Sequence, residues 1–370
     1  MTPDRGGMDD VMAARDRPAR DVLANIQVLR ALAAAMVVIV HLDAIVRLIM
    51  GEPGDAELFG VGVDLFFIIS GFIMIYTTTR KRPTPAQFLS SRVARIVPFY
   101  WVVTLAIFTL ATIRPEWMNG TVASLTHLVK SLLFLPYARA DGMIRPILFV
   151  GWSLELEMLF YVIFAATLMI SSVVARIWTG IGILVAMVAV GMIARASLPR
   201  EILFLLQPLV LEFALGMAIG LAYRHLPSSR PAGSAAVLAA PLFLICMVLC
   251  ACFSPLPGWP VAAIPAAALV VAALVADRAG FTLRSRPLLL LGNASFALYL
   301  THPLVTQAMI KAAKALGLLT PAYAPLLFVI SMVGAILVGI VAHLLVEKPL
   351  SDAAHRHLVL RRRPPAPVPA

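Results

Sequence analysis

Charge is scarce in this 370-residue chain: only 13% of its residues are charged, against 61% that are hydrophobic, and the mean hydropathy is +0.93. That apolar content is far above the roughly half typical of a soluble domain, so the sequence reads as a membrane protein. Length is short for anything more. Each crossing needs about 20 apolar residues plus a connection, which leaves no room for a large soluble domain beside about ten of them. Cysteine is nearly absent. Cys246, Cys250 and Cys252 crowd one apolar segment, an odd number without framework spacing, which excludes a disulfide scaffold and a cysteine-ligated zinc site, and no other metal site is expected. Acidic residues are outnumbered 19 to 30 by basic ones, for a net charge of +11. In a soluble protein this would raise nucleic acid as a partner, but here the positions of the charges decide against it.

Apolar runs place ten membrane helices at about 26–47, 58–78, 96–114, 146–169, 176–194, 202–222, 233–252, 259–276, 288–309 and 324–346. With the N-terminus in the cytoplasm, twenty basic residues fall in cytoplasmic segments and nine outside, with Arg30 inside the first helix. That bias predicts an all-α polytopic protein with both termini cytoplasmic. The N-terminal segment 1–24 is polar, with arginines mixed among aspartates. It does not resemble a cleaved signal, so the first apolar run is expected to stay as an anchor. The membrane domain then covers 25–348, and 349–370 is a basic, proline-rich cytoplasmic tail whose end has nothing to pack. The longest connection, about 115–145, is external in this topology. Its run SLTHLVKSLLFLP, near 124–136, is too short to span and reads as an interfacial or re-entrant helix.

Ionisable residues inside spans are costly, so they carry the information. Arg30 and His41 lie in the first helix, about 16 Å apart along its axis. Arg30 is long enough to snorkel to headgroups, whereas His41 must face the bundle interior, as a packing group or as an acid/base. Asp64, in FGVGVDLFFIISGF, needs a partner: a histidine whose tautomer it fixes, Arg145, or a helix terminus. The glycines of that string and Ser70 allow close helix approach. Glu155 and Glu157, in GWSLELEMLFY, point some 200° apart, so one lies near the outer interface while the other points inward. Glu212 has the same status with fewer neighbours to interpret.

Arg92 and Arg95 stand three apart on one face just before the third helix. They serve topology or bind phosphate, to which guanidinium forks are suited. His302 and Pro303 share the ninth helix, where the proline bends the segment beside a buried histidine, a plausible site wall. His343 and Glu347, four apart, fit interfacial capping and anchoring. The aromatic run Phe99, Tyr100 and Trp101, with Trp152, fits interface belts. Gly216 and Gly220 read as a helix contact.

Six strings, VLRALAAAMVVIVHLD, FGVGVDLFFIISGF, SRVARIVPFYW, GWSLELEMLFY, GNASFALYLTHP and VEKPL, occur in an order and helix count that resemble the membrane-bound acyltransferase-3 family, nearest to its ExoZ-like exopolysaccharide O-acetyltransferases. The resemblance implies a bacterial inner-membrane enzyme. It would take an acyl group, usually acetyl, from cytoplasmic acetyl-CoA or another acyl-CoA to a hydroxyl of an extracytoplasmic glycan, such as exopolysaccharide or its lipid-linked precursor. The family's first-helix arginine and histidine fall on Arg30 and His41, its RxxR pair on Arg92 and Arg95, and its WSLxxExxFY glutamate on Glu157, with Glu155 at a variable position. Its SGF turn falls on Ser70, Gly71 and Phe72.

In the chemistry so implied, His41 is the base, with Asp64 or Glu157 as an orienting carboxylate. Arg92 and Arg95, joined by Arg30, form the cationic site for CoA phosphates, and Ser70 and His302 are site walls. Partners would be acyl-CoA, a glycan or lipid-linked glycan, membrane lipids and polysaccharide-synthesis proteins. Transfer is expected to be completed without the periplasmic esterase-like domain that some relatives carry, and passes directly or through an acyl-protein intermediate. On composition alone, a glycan transporter or flippase without covalent chemistry fits the buried His, Asp and Glu as well, and a scaffold for polysaccharide synthesis is a third reading.

Overall fold

The computed structural model describes residues 23–51, 61–117, 123–139, 141–253 and 261–359. The polar N-terminal stretch 1–22 and the proline-rich end 360–370 lie outside the described residues. Fourteen α-helices are described: α1 (Ala24–Met50), α2 (Val61–Lys81), α3 (Pro85–Ile113), α4 (Leu125–Leu132), α5 (Trp152–Thr167), α6 (Val173–Ile193), α7 (Arg200–Leu205), α8 (Leu211–Ala222), α9 (Arg230–Phe253), α10 (Ala263–Arg278), α11 (Arg286–Asn293), α12 (Ser295–Ala315), α13 (Ala324–Ala342) and α14 (Lys348–Leu358). The only β-bridge among the described residues joins Ala138 to Ile144.

The chain is an all-α, polytopic membrane protein. Among the described residues, eight helical segments are long and apolar enough to cross a bilayer, or nine when α11 and α12, bent by 73°, count as one broken span. This is fewer than the ten expected, although a helix lies at each of the ten positions. The segment expected at 259–276 forms α10, whose 16 residues extend only about 24 Å, short of the roughly 30 Å of a hydrocarbon core. The segment expected at 202–222 is divided at Pro208 between α7 and α8, which join as Arg200–His225.

The most extensive helix contact is between α2 and α8. It is permitted by glycine. A methyl group on Gly71 would run into the Phe213 carbonyl, and one on Gly216 into the Ile68 carbonyl, so each backbone lies against the other. α1 packs on α2 and also against α10, α11, α12 and α13, which makes it central. Outer helices turn apolar side chains away from the protein, including Leu238 and Leu242 of α9 and Val329 and Leu337 of α13. A surface of that kind suits lipid rather than water.

Two boundaries differ from expectation in ways that shape the site. α3 begins eleven residues before position 96. Thr84 caps it by accepting from the Gln87 amide at 3.2 Å while Gln87 accepts from the Thr84 amide at 3.1 Å, and Pro85 occupies the first turn. Arg92 and Arg95 are therefore inside the helix, not before it. The sharp break in the ninth expected segment falls at Ala294, while Pro303 sits within continuous α12. At the break Gly292 lies against the Gln27 carbonyl of α1, where a side chain would not fit. Further on, a π-helical turn at His343–Glu347 joins α13 to α14, and α14 packs on α3, so the start of the expected tail is a docked helix.

Candidate active site

A cavity of about 150 Å³ opens among α1, α2, α3, α5 and the start of α12. Helical spacing explains its polar stripes. Gln27 and Arg30 share one face of α1; Ser153, Glu157 and Tyr161 recur every fourth residue along α5; Ser295 and Tyr299 do so on α12. Ser70 of α2 and Arg95 of α3 complete the polar lining. Four expected site residues, Arg30, Ser70, Arg95 and Glu157, thus meet in one space although they are far apart in sequence.

The guanidinium of Arg30 donates to Gln27 Oε1 at 3.1 Å and to Ser295 Oγ at 3.0 Å. Glu157 Oε1 accepts from Ser70 Oγ at 2.9 Å and from the Tyr161 hydroxyl. Arg92 lies over the rings of Phe88, at 5.5 Å, and Tyr161, at 6.0 Å, so it borders the cavity from behind Tyr161. Arg95 directs no hydrogen bond to a described residue. Arg30 is within electrostatic reach of Arg95, Glu157 and Glu347. Three guanidinium groups face two carboxylates here, a surplus of positive charge that suits an anionic ligand.

From Arg30 the same face of α1 continues through Val37 to His41, and from Ser295 the face of α12 continues through Tyr299 to His302. The two stripes meet at both ends: Arg30 bonds Ser295, and the His41 and His302 rings stand 4.9 Å apart between centroids. His41 Nδ1 is 2.7 Å from the Val37 carbonyl and His302 Nδ1 is 3.2 Å from the Leu298 carbonyl. A carbonyl only accepts, so each Nδ1 is assigned the proton, and in the neutral ring Nε2 then carries the lone pair. His302 is wholly buried, with no partner for Nε2 among the described residues. His41 is less enclosed. Phe149 lies 5.3 Å from its ring, and Arg145, on the connection before α5, is within electrostatic reach. Burial holds the Arg145 guanidinium below its ordinary value, with Asp141 acting the other way.

Asp64 and Glu157 were the two carboxylates expected to orient His41, and no hydrogen bond joins either to it. Glu157 is engaged by Ser70 and Tyr161, while buried Asp64 faces the carboxyl of fully buried Glu212 across the α2–α8 contact. The close glycine packing of these helices turns Asp64 toward α8. Neither glutamate of α5 lies at an exposed interface: Glu155 is 1% exposed, its oxygens without a hydrogen-bond partner among the described residues. The aromatic belt is also revised. Phe99 and Tyr100 are core residues, Tyr100 donating to the Ser131 carbonyl at 3.1 Å, and of the three only Trp101 is exposed. Glu347, read as an anchor, is buried and accepts from His343 at 2.7 Å. Among the described residues no three His, Cys, Asp or Glu side chains gather as metal ligands would.

Sequence reasoning passed over Tyr161, Ser153 and Tyr299. The signal was present, because each lies one or two turns from a chosen residue within strings already singled out.

Residues 23–341 match the acyltransferase-domain family Acyl_transf_3. The chain belongs to this acyltransferase-3 family. The acyltransferase is 35% identical over 297 residues to the exopolysaccharide production protein ExoZ of Rhizobium meliloti (strain 1021), covering 78% of this chain and 88% of that relative. It is 30% identical over 344 residues to the acyltransferase MdmB of Streptomyces mycarofaciens, covering 84% of each. No solved structure matches it.

Proposed function

We propose that this acyltransferase resides in a bacterial inner membrane and moves an acyl group, acetyl in the first instance, from acyl-CoA on the cytoplasmic side to a hydroxyl of an extracytoplasmic glycan. The observation that carries the reading is the pairing of α1 with α12, whose stripes meet at Arg30 and Ser295 in the arginine cavity and again, beyond it, at the adjacent His41 and His302 rings. Arg95 and Arg30, with Arg92 behind them, hold the anionic phosphates of the donor, and Glu157, clamped by Ser70 and Tyr161, keeps the guanidinium groups in place. His41 Nε2 takes the proton of the acceptor hydroxyl as its oxygen attacks the thioester carbon. The new C–O bond forms, the C–S bond breaks, and the proton passes to the departing thiolate. The name of the Rhizobium relative supports a polysaccharide or lipid-linked precursor as acceptor, and polysaccharide-synthesis proteins as neighbours.

The test is ester formation by purified protein in liposomes supplied with labelled acetyl-CoA and a glycan acceptor, alongside analysis of base-labile acyl esters on surface glycans with and without the chain. The wild type is expected to transfer label. His41→Gln, which keeps a hydrogen-bonding side chain but not the base, is expected to bind donor normally and lose transfer by at least about a hundredfold. Near-normal transfer by His41→Gln would move the base to His302. Glycan translocation without label would favour a flippase.

A further inference from the structure

Tyr299 stands between the two halves of the site. Its side chain lines the arginine cavity, and its ring is 6.1 Å from the His302 ring on the other side. The phenol is tethered: its oxygen lies 2.7 Å from Ser153 Oγ and donates to the Val150 carbonyl at 2.8 Å, in the short turn that precedes α5. Phe66 of α2 meets the ring edge-on at 6.0 Å. This end of the cavity is otherwise apolar, with Val63 and Leu154 beside Phe66. A buried, doubly tethered aromatic ring is a poor candidate for a mobile gate and a good one for a rigid side wall.

We propose that Tyr299, fixed by Ser153 and backed by Phe66, is the specificity-determining wall that limits the size of the transferred acyl group. The inference rests on the acyl-transfer reading above. With the donor phosphates among the arginines and the thioester directed toward the histidines, the acyl carbons beyond the carbonyl meet this ring. An acetyl methyl is accommodated, and a longer chain collides with a side chain that cannot rotate away without breaking both of its hydrogen bonds. Rejection by a packed wall costs more than lost contact, since added methylenes in a close-packed site force strain. The established scale for such pockets, about 10- to 200-fold per methylene, sets the expected effect.

The experiment measures kcat/KM for acetyl-, butyryl- and hexanoyl-CoA in wild-type protein, Tyr299→Ala and Tyr299→Phe, each reconstituted in liposomes and checked for a monodisperse elution profile. Tyr299→Ala is expected to raise the hexanoyl-to-acetyl ratio by about tenfold or more. Tyr299→Phe keeps the ring and is expected to hold the wild-type ratio within about threefold. A folded Tyr299→Ala protein with an unchanged ratio, or inactive toward every donor, overturns the proposal, as does a Tyr299→Phe protein as permissive as Tyr299→Ala. If Tyr299→Ala does not fold, Phe66→Ala carries the test, with a relaxed ratio expected and an unchanged one overturning it. Wild-type protein that transfers no acyl group from any donor instead refutes the acyl-transfer reading on which the proposal stands.

Discussion

The three arginines of the site differ in what surrounds them, and their variants should differ accordingly. Arg95 enters the cavity and directs no hydrogen bond to a described residue, so its donors are available to a ligand. A charge-assisted hydrogen bond contributes about 1.5–3 kcal/mol, and Arg95→Ala is expected to raise the donor KM roughly tenfold to a hundredfold with a smaller change in kcat. Donor affinity left intact by that substitution would remove Arg95 from the binding site. Arg92 is stacked on Phe88 and Tyr161. Its planar group matters as much as its charge, so Arg92→Lys is expected to weaken donor binding although the charge is retained. Glu347, on the π-helical turn between α13 and α14, is a countercharge near Arg30. Glu347→Gln keeps its size, and the expected result is raised donor KM with normal protein yield; unchanged kinetics would return Glu347 to a purely structural role.

At the scale of elements, the α2–α8 contact is where the fold is least tolerant. Gly71 and Gly216 each face the backbone of the other helix, so a side chain has no flexible group to displace. Gly71→Val or Gly216→Val is expected to cost more than the usual 1–3 kcal/mol of overpacking, read as loss of monodisperse protein after detergent extraction. Gly334, which has only the Val305 side chain nearby at 3.5 Å, serves as the control: Gly334→Ala should extract normally. A well-behaved Gly216→Val protein would show that the helices can separate without loss of the fold. Apolarity does not mark the start of α3, because the residues of 85–95 are polar enough to pass as a loop. Only the reciprocal Thr84 and Gln87 bonds reveal that the helix already contains both arginines, and that extension is what carries Arg95 to the cavity.

For the whole molecule, the uneven distribution of basic residues argues for an orientation in which α4 lies outside and the α5–α6 connection faces the cytoplasm. In a background with Cys246, Cys250 and Cys252 replaced, a membrane-impermeant thiol reagent added to intact spheroplasts is expected to label Thr126→Cys, at an exposed position of α4, and not Ser171→Cys, exposed before α6. The reverse pattern would invert the topology and, with it, the side on which donor binds.

Composition and periodicity alone determined that this is a helical membrane protein, where its apolar segments lie, and which ionisable residues are too costly to be incidental. Those are properties of single segments: hydrophobicity sets insertion, and the 3.6-residue repeat sets which side chains share a face. The family strings, too, were legible in the sequence. Which faces meet was decided only by tertiary structure. Arg30, Ser70, Arg95 and Glu157 converge because α1, α2, α3 and α5 enclose one space, whereas Asp64, equally polar and in the same kind of segment, is turned onto Glu212 by glycine packing between α2 and α8. Tyr299 looked like an ordinary helix residue until α12 was laid against α1, and its position between arginines and histidines follows from that pairing rather than from anything local to its own sequence.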